Sequence, residues 1–144
     1  MLTTNWRWWA LGSAGFATLT AILAKVGVAG VSSNLATAIR TGVILLFSVA
    51  LVWTTGEARE LPSLSPRAWI FLGLSGLATG LSWLCYFRAL QLGEASQVAP
   101  VDKLSVVFVL VLAAVFLGER LSWHQWLGGA FIVTGAVVIA LKPA

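Results

Sequence analysis

Charge is what this sequence has least of: nine Lys and Arg and five Asp and Glu among 144 residues, 10% in all. Soluble domains carry about 25% charged and roughly 45–50% apolar residues. Here 59% of the residues are hydrophobic and the mean hydropathy is +0.93. A soluble chain this short could not hide so much apolar surface from water. The single cysteine, Cys85, lies inside an apolar run, which leaves no internal disulfide and no zinc site to build. The single histidine, His124, falls in a turn, where a solvated ring is expected. There is no Walker-type phosphate loop, no HExxH, no CxxC and no acid dyad, so nothing points to ATP-driven transport or hydrolysis. No nucleophile–base pair is visible either, and no catalytic residue, metal or cofactor is expected. A net charge of +4 and a pI near 10.0 would suggest nucleic acid for a soluble chain. The basic residues, however, stand singly among apolar runs and form no patch, so no nucleic-acid partner is expected.

Long apolar runs are abundant. A spanning helix needs about 20 mainly apolar residues, and five segments qualify: 8–28, 35–54, 69–90, 98–117 and 123–141. The fold class expected is an all-α membrane protein, one domain of five transmembrane helices over residues 1–144. The first segment follows Arg7 in the manner of a signal peptide, but it exceeds the usual apolar core of about 7–15 residues and is read as a span. The longest connection, Thr55–Ala68, holds two prolines and four charged residues and reads as a polar turn. Short connections force sequential helices to run antiparallel.

Tryptophan favours the membrane interface. With the N-terminus on side A, five alternating spans put Trp6, Trp8, Trp9, Trp53, Trp69, Trp123 and Trp126 on that side. Trp83 is the exception. The positive charges divide almost evenly: Arg7, Arg59, Arg67 and Arg120 on side A, and Lys25, Arg40, Arg88, Lys103 and Lys142 on side B. That is nearly no positive-inside bias. Either some side-B cations are intramembrane residues, or the chain inserts in both orientations.

Ionisable residues within spans usually face an interior or a cavity. From the helical rise, Lys25 lies about one turn inside side B, Arg40 roughly 8–9 Å in, and Asp102 and Lys103 about 6–8 Å in, with Arg88 near the end of span three. These five form one shallow layer and are the candidate substrate-binding residues. The alternatives are snorkelling to lipid phosphates and an internal ion pair, with Asp102 joined to Arg40 or Lys25. Asp102 and Lys103 are adjacent, point about 100° apart on a helix and are not expected to pair face to face. Among the five acids, Asp102 is the candidate proton-responsive group; Glu57, Glu60, Glu94 and Glu119 lie at span ends or in loops.

Pro100 fits the first turn of a helix. A helix starting there would aim its partial positive charge at the layer, as broken helices do around anionic groups in transporters. A simple kink is the other reading of this helix break. Gly73, Gly76 and Gly80, with Ala89, suggest close helix packing within the chain. Gly128 and Gly135, seven apart on the terminal span, are the candidate dimer contact.

The C-terminal stretch RALQLGEASQVAPVDKLSVVFVLVLAAVFLGERLSWHQWLGGAFIVTGAVVIAL resembles the EamA repeat of the drug/metabolite transporter superfamily. The resemblance rests on RALQLG ending span three, a proline early in span four, LGERLS closing that span and a glycine-bearing last helix. The stretch AKVGVAGVSSNLATAIRTGV resembles the single-repeat, five-helix members of the same group. The resemblance implies transport, typically export, of a small metabolite through a cavity between two inverted repeats. One repeat implies a homodimer, and an antiparallel pair would recreate the inversion. The lipid bilayer, as the cell (inner) membrane, is the expected location. The related four-helix multidrug exporters use a glutamate in span one. Lys25 occupies that span here, which argues against cationic drugs and for an anionic or zwitterionic substrate. Two other readings are a flippase for a phosphate-bearing lipid and a non-transporting membrane subunit of a larger complex.

Overall fold

Among the described residues six α-helices carry nearly all of the chain, and several begin or end where the sequence supplies a reason. The computed structural model describes residues 5–141, so Lys142 lies outside the described residues. α1 (Trp6–Gly27), α2 (Ser33–Thr55), α3 (Pro66–Leu92), α4 (Ala95–Asp102), α5 (Ser105–Phe116) and α6 (Trp123–Ala140) follow in order. No strand occurs among the described residues. α1, α2, α3 and α6, and α4 with α5 taken as one segment, are each long and apolar enough to cross a membrane.

Ser32 caps α2, its hydroxyl accepting from the Leu35 N–H at 3.3 Å, a bond worth about 1 kcal/mol. Gly56 ends α2 in the left-handed region, with φ 78°, where a Cβ would be strained. Ser122 opens α6, and the Gln125 side chain accepts from the Ser122 N–H at 2.7 Å. The turn after α2 is more ordered than its prolines and charges suggest: Glu57–Ser63 forms a 3-10 helix that packs on α2.

The chain divides into two compact units, residues 24–91 and residues 1–23 with 92–144. In the first, α2 and α3 meet near one end, where Phe87 and Leu90 are fully buried and Ala36 nearly so. In the second, α4 and α5 pack on α6. Gly129 and Ala136 are buried there, as is Ala113 of α5. A Cβ on Gly129 would stand 3.1 Å from Leu110 Cδ1, so this glycine is what lets the two helices approach.

One expectation about glycine is corrected. Gly73, Gly76 and Gly80 do not mark close packing within the chain, since a Cβ at each would meet nothing within 4 Å. On α6 the internal contact is made by Gly129, about 100° around the helix from Gly128. Gly128 and Gly135 face open space.

Candidate functional site

Span four is where the fold departs furthest from the sequence reading. The helix starts at Ala95, with Glu94 as its N-cap, so Pro100 lies inside α4 and not in its first turn. The expected helix start at Pro100 is therefore corrected. Proline offers no N–H to the Ser96 carbonyl, four residues back. Just beyond it the backbone tightens into bonds of the i to i+3 kind. Lys103 N–H donates to Pro100 O at 3.1 Å, Leu104 N–H to Val101 O at 3.0 Å, and Val106 N–H to Lys103 O at 3.0 Å. A short 3-10 stretch inside a helix is a common mark of a hinge. α5 resumes at Ser105.

The break also revises the charge pairing. Lys103 Nζ lies 3.2 Å from Asp102 Oδ2, an ion pair between neighbours. The 100° separation assumed for adjacent residues belongs to a regular α-helix. Here Lys103 already stands outside α4, and its flexible stem swings back. The Asp102 carboxylate is thus engaged locally, and not by Arg40 or Lys25 as the alternative ion-pair reading had it. The pair is half-exposed to exposed.

The other three candidates fall together in the unit of residues 24–91. Lys25, in the last turn of α1, donates from Nζ to the Leu90 carbonyl at 2.6 Å. That carbonyl is among the last four of α3, which have no partner within their own helix, so Lys25 satisfies it. Arg88 Nη1 donates to Gln91 Oε1 at 3.2 Å, and Gln91 Nε2 donates in turn to the Val31 carbonyl. Lys25, Arg88 and Gln91 therefore tie the end of α3 to the turn between α1 and α2.

Arg40 behaves differently. Its guanidinium carbon lies 4.9 Å from the Trp83 ring centroid and 5.0 Å from that of Phe87. By the rise per residue Arg40 lies about 10 Å from the start of α2, while Phe87 and Trp83 lie about 8 and 14 Å from the end of α3. The side chain reaches sideways at its own depth and does not snorkel outward. Among the described residues no carboxylate, carbonyl or hydroxyl is hydrogen-bonded to it. Five donors in a rigid fork are held over two rings. Such a fork takes a carboxylate or phosphate in a bidentate grip.

Trp83, Phe87 and Gln91 did not appear among the sequence candidates. Trp83 carried a signal, as the one tryptophan away from the interfacial set. Phe87 carried none that separates it from an ordinary core residue. Among the described residues no group of three or more His, Cys, Asp or Glu could hold a metal ion.

Residues 4–141 match the EamA-like transporter family. The chain belongs to that family. A protein named as an uncharacterised transporter in the cobO 3′ region of a Sinorhizobium species is 54% identical over 140 residues, covering 97% of this chain and 99% of that protein. A probable terminal-alkyne amino-acid exporter of Streptantibioticus cattleyicolor is 37% identical over 126 residues, which are 80% of this chain but 36% of the exporter. A probable 4-amino-4-deoxy-L-arabinose-phosphoundecaprenol flippase subunit, ArnF of Proteus mirabilis, is 28% identical over 140 residues, 93% of this chain and 90% of that subunit. No solved structure matches. The protein is thus a multi-pass membrane transporter of the EamA type, and its relatives are named for transport and not for catalysis.

Proposed function

We propose that the chain is a secondary transporter, working as an exporter for a small anionic or zwitterionic metabolite, and that Arg40 receives the anionic group. The observation that carries this reading is the uncommitted guanidinium over Trp83 and Phe87. A cation at this depth is expensive without a counter-charge, and a substrate oxyanion supplies one. Lys25 and Arg88 add positive potential near the mouth while holding the end of α3 in place. Asp102 and Lys103 form a separate zwitterionic pair at the helix break, and Asp102 is the group proposed to respond to protons. The names of two relatives support a substrate with an anionic group, one an amino-acid exporter and the other a flippase subunit for a phosphate-linked lipid.

Alternating access is proposed to require a homodimer in the cell (inner) membrane, with the Gly128 and Gly135 face of α6 as the contact. An antiparallel pair is favoured by the nearly even distribution of Lys and Arg between the two sides. Pairing with a different small subunit is the second reading, favoured by the subunit naming of the flippase relatives.

The test is export from intact cells, comparing the medium of cells that express wild type, Arg40→Gln or Arg40→Lys. One or more anionic or zwitterionic metabolites should accumulate outside with wild type, fall to background with Arg40→Gln, and recover in part with Arg40→Lys. Equal accumulation with Arg40→Gln, or accumulation of cations alone, would overturn the assignment. In a Cys85→Ser background, copies with cysteine at Gly128 and copies with cysteine at Gly135, expressed together, should crosslink to a product of twice the chain mass. A larger heterogeneous product would favour the two-subunit reading.

A further inference from the structure

The unit of residues 24–91 is layered at its side-B end, where α2 begins and α3 ends. Outermost stand two bonds that join separate elements. Lys25 of α1 donates to the Leu90 carbonyl, and Gln91 of α3 donates to the Val31 carbonyl in the turn between α1 and α2. Just within them Val28, Ala36 and Leu90 are buried, with Ala24 buried one turn deeper on α1. Arg40 lies about 6 Å deeper than Ala36 along α2, and Phe87 about 4.5 Å deeper than Leu90 along α3. A packed apolar layer therefore stands between the guanidinium and side B. Within this unit no such layer follows toward the middle, since every residue from Thr41 to Leu51 on α2 and from Trp69 to Thr79 on α3 is exposed.

The same piece of α3 carries the layer, the bonds and the rings. Trp83, Phe87 and Leu90 follow at spacings of four and three, along one face of a helix. The first two lie over Arg40, and the third is fully buried with its carbonyl on Lys25. Two turns of helix move as one piece, so α3 cannot draw away from α1 at Leu90 without also lifting Phe87 off Arg40. Parting the layer and releasing the guanidinium are one motion. The bonds suit a joint that opens and closes. Both run to backbone carbonyls near the interface, where water replaces the lost partner, and neither is an ion pair whose separation would strand a buried charge. Their net worth is correspondingly modest, as for any bond exchanged with water.

We infer that this layer is the side-B gate of the Arg40 site, shut in this structure, and that the Lys25–Leu90 and Gln91–Val31 bonds are its latch. This rests on the reading of Arg40 as the substrate site and adds which end of that site is closed and what must break to open it. A substrate at Arg40 exchanges with side B when the end of α3 swings away from α1 and from the turn that follows it.

The experiment uses the full-length protein in nanodiscs, with Cys85→Ser and one reporter cysteine. Val28→Cys and Ala36→Cys place the thiol in the layer, and Ala113→Cys, at a buried position on α5, is the reference outside it. A charged, membrane-impermeant thiosulfonate reaches the first two when the layer parts. Gln91→Leu and Lys25→Met should each speed labelling of Val28→Cys and Ala36→Cys about two- to tenfold, the worth of one lost bond. Labelling of Ala113→Cys should keep its rate. Lys25→Arg retains a donor and should label slowly, as wild type does; a rate equal to that of Lys25→Met overturns the latch at Lys25. Unchanged rates in both Gln91→Leu and Lys25→Met overturn the gate. Equal acceleration at Ala113→Cys also overturns it, because the chain has then loosened throughout. Neither result touches the anion assignment, which the export assay reads separately. Arg40→Gln exporting like wild type would overturn that assignment, and with it the claim that this gate serves Arg40, even where the thiols behave as expected.

Discussion

Replacing Trp83 by leucine tests whether the aromatic rings hold Arg40 or merely lie beside it. The guanidinium carbon is within 5.0 Å of both centroids, and a cation–π contact away from water is worth about 1–2 kcal/mol. Phe87 remains in the Trp83→Leu protein, so the coupling between Arg40 and Trp83 is expected at about 1 kcal/mol, roughly a fivefold effect. The single substitution also removes half-buried ring surface, a loss unrelated to the cation. A double-mutant cycle separates the two. Stability would be measured by reversible unfolding in mixed micelles for wild type, Trp83→Leu, Arg40→Gln and the double variant. Trp83→Leu should cost about 1 kcal/mol more when Arg40 is present than when it is glutamine. An equal cost in both backgrounds would show that the ring contributes only burial, and the argument that Arg40 is positioned by aromatics would fail.

Two further outcomes follow from the contacts. Gly129→Leu should destabilise the fold by about 1–3 kcal/mol through overpacking against Leu110, whereas Gly128→Leu should leave unfolding unchanged and lower the fraction of dimer measured in micelles; the same unfolding curve for both would refute the division of α6 into two faces. Lys25→Met should cost about 1–3 kcal/mol by leaving the Leu90 carbonyl without its donor, and amide exchange in the last turn of α3 should quicken; unchanged exchange there would show that Lys25 does not hold that end.

The five spans were legible because a membrane demands length and continuous apolarity, and both are visible in one dimension. The break in span four was half legible. Pro100 announced an irregularity, but the helix breaks several residues later, at Lys103 and Leu104, where the backbone bonds tighten. Helix faces were the hardest to read. Gly128 and Gly129 are neighbours in sequence, yet one faces open space and the other Leu110, and only the neighbour's position decides which. The same holds for the charged layer. Depth alone grouped Lys25, Arg40 and Arg88, but Lys25 and Arg88 have acceptors at the end of α3, while Arg40 lies against two rings and has no hydrogen-bond acceptor among the described residues. Which cation lacks an acceptor depends on contacts between helices, and periodicity says nothing about those. Trp83 was the outlier whose position had no interfacial explanation, and its partner proved to be Arg40.

The lone guanidinium has an electrical consequence. Among the described residues no carboxylate is paired to Arg40; on the proposed reading an empty transporter therefore carries one uncompensated positive charge at that depth, and a carrier holding a monoanion carries none. Moving an elementary charge through the whole membrane field is worth about 2.3 kcal/mol per 100 mV. Any part of that field Arg40 crosses during reorientation weighs on the return of the empty form and not on the loaded one. The membrane potential then acts as a rectifier on turnover. In an antiparallel pair the two arginines sit toward opposite faces and move in opposite senses, so that bias cancels when both sites are in the same state and survives when only one is filled.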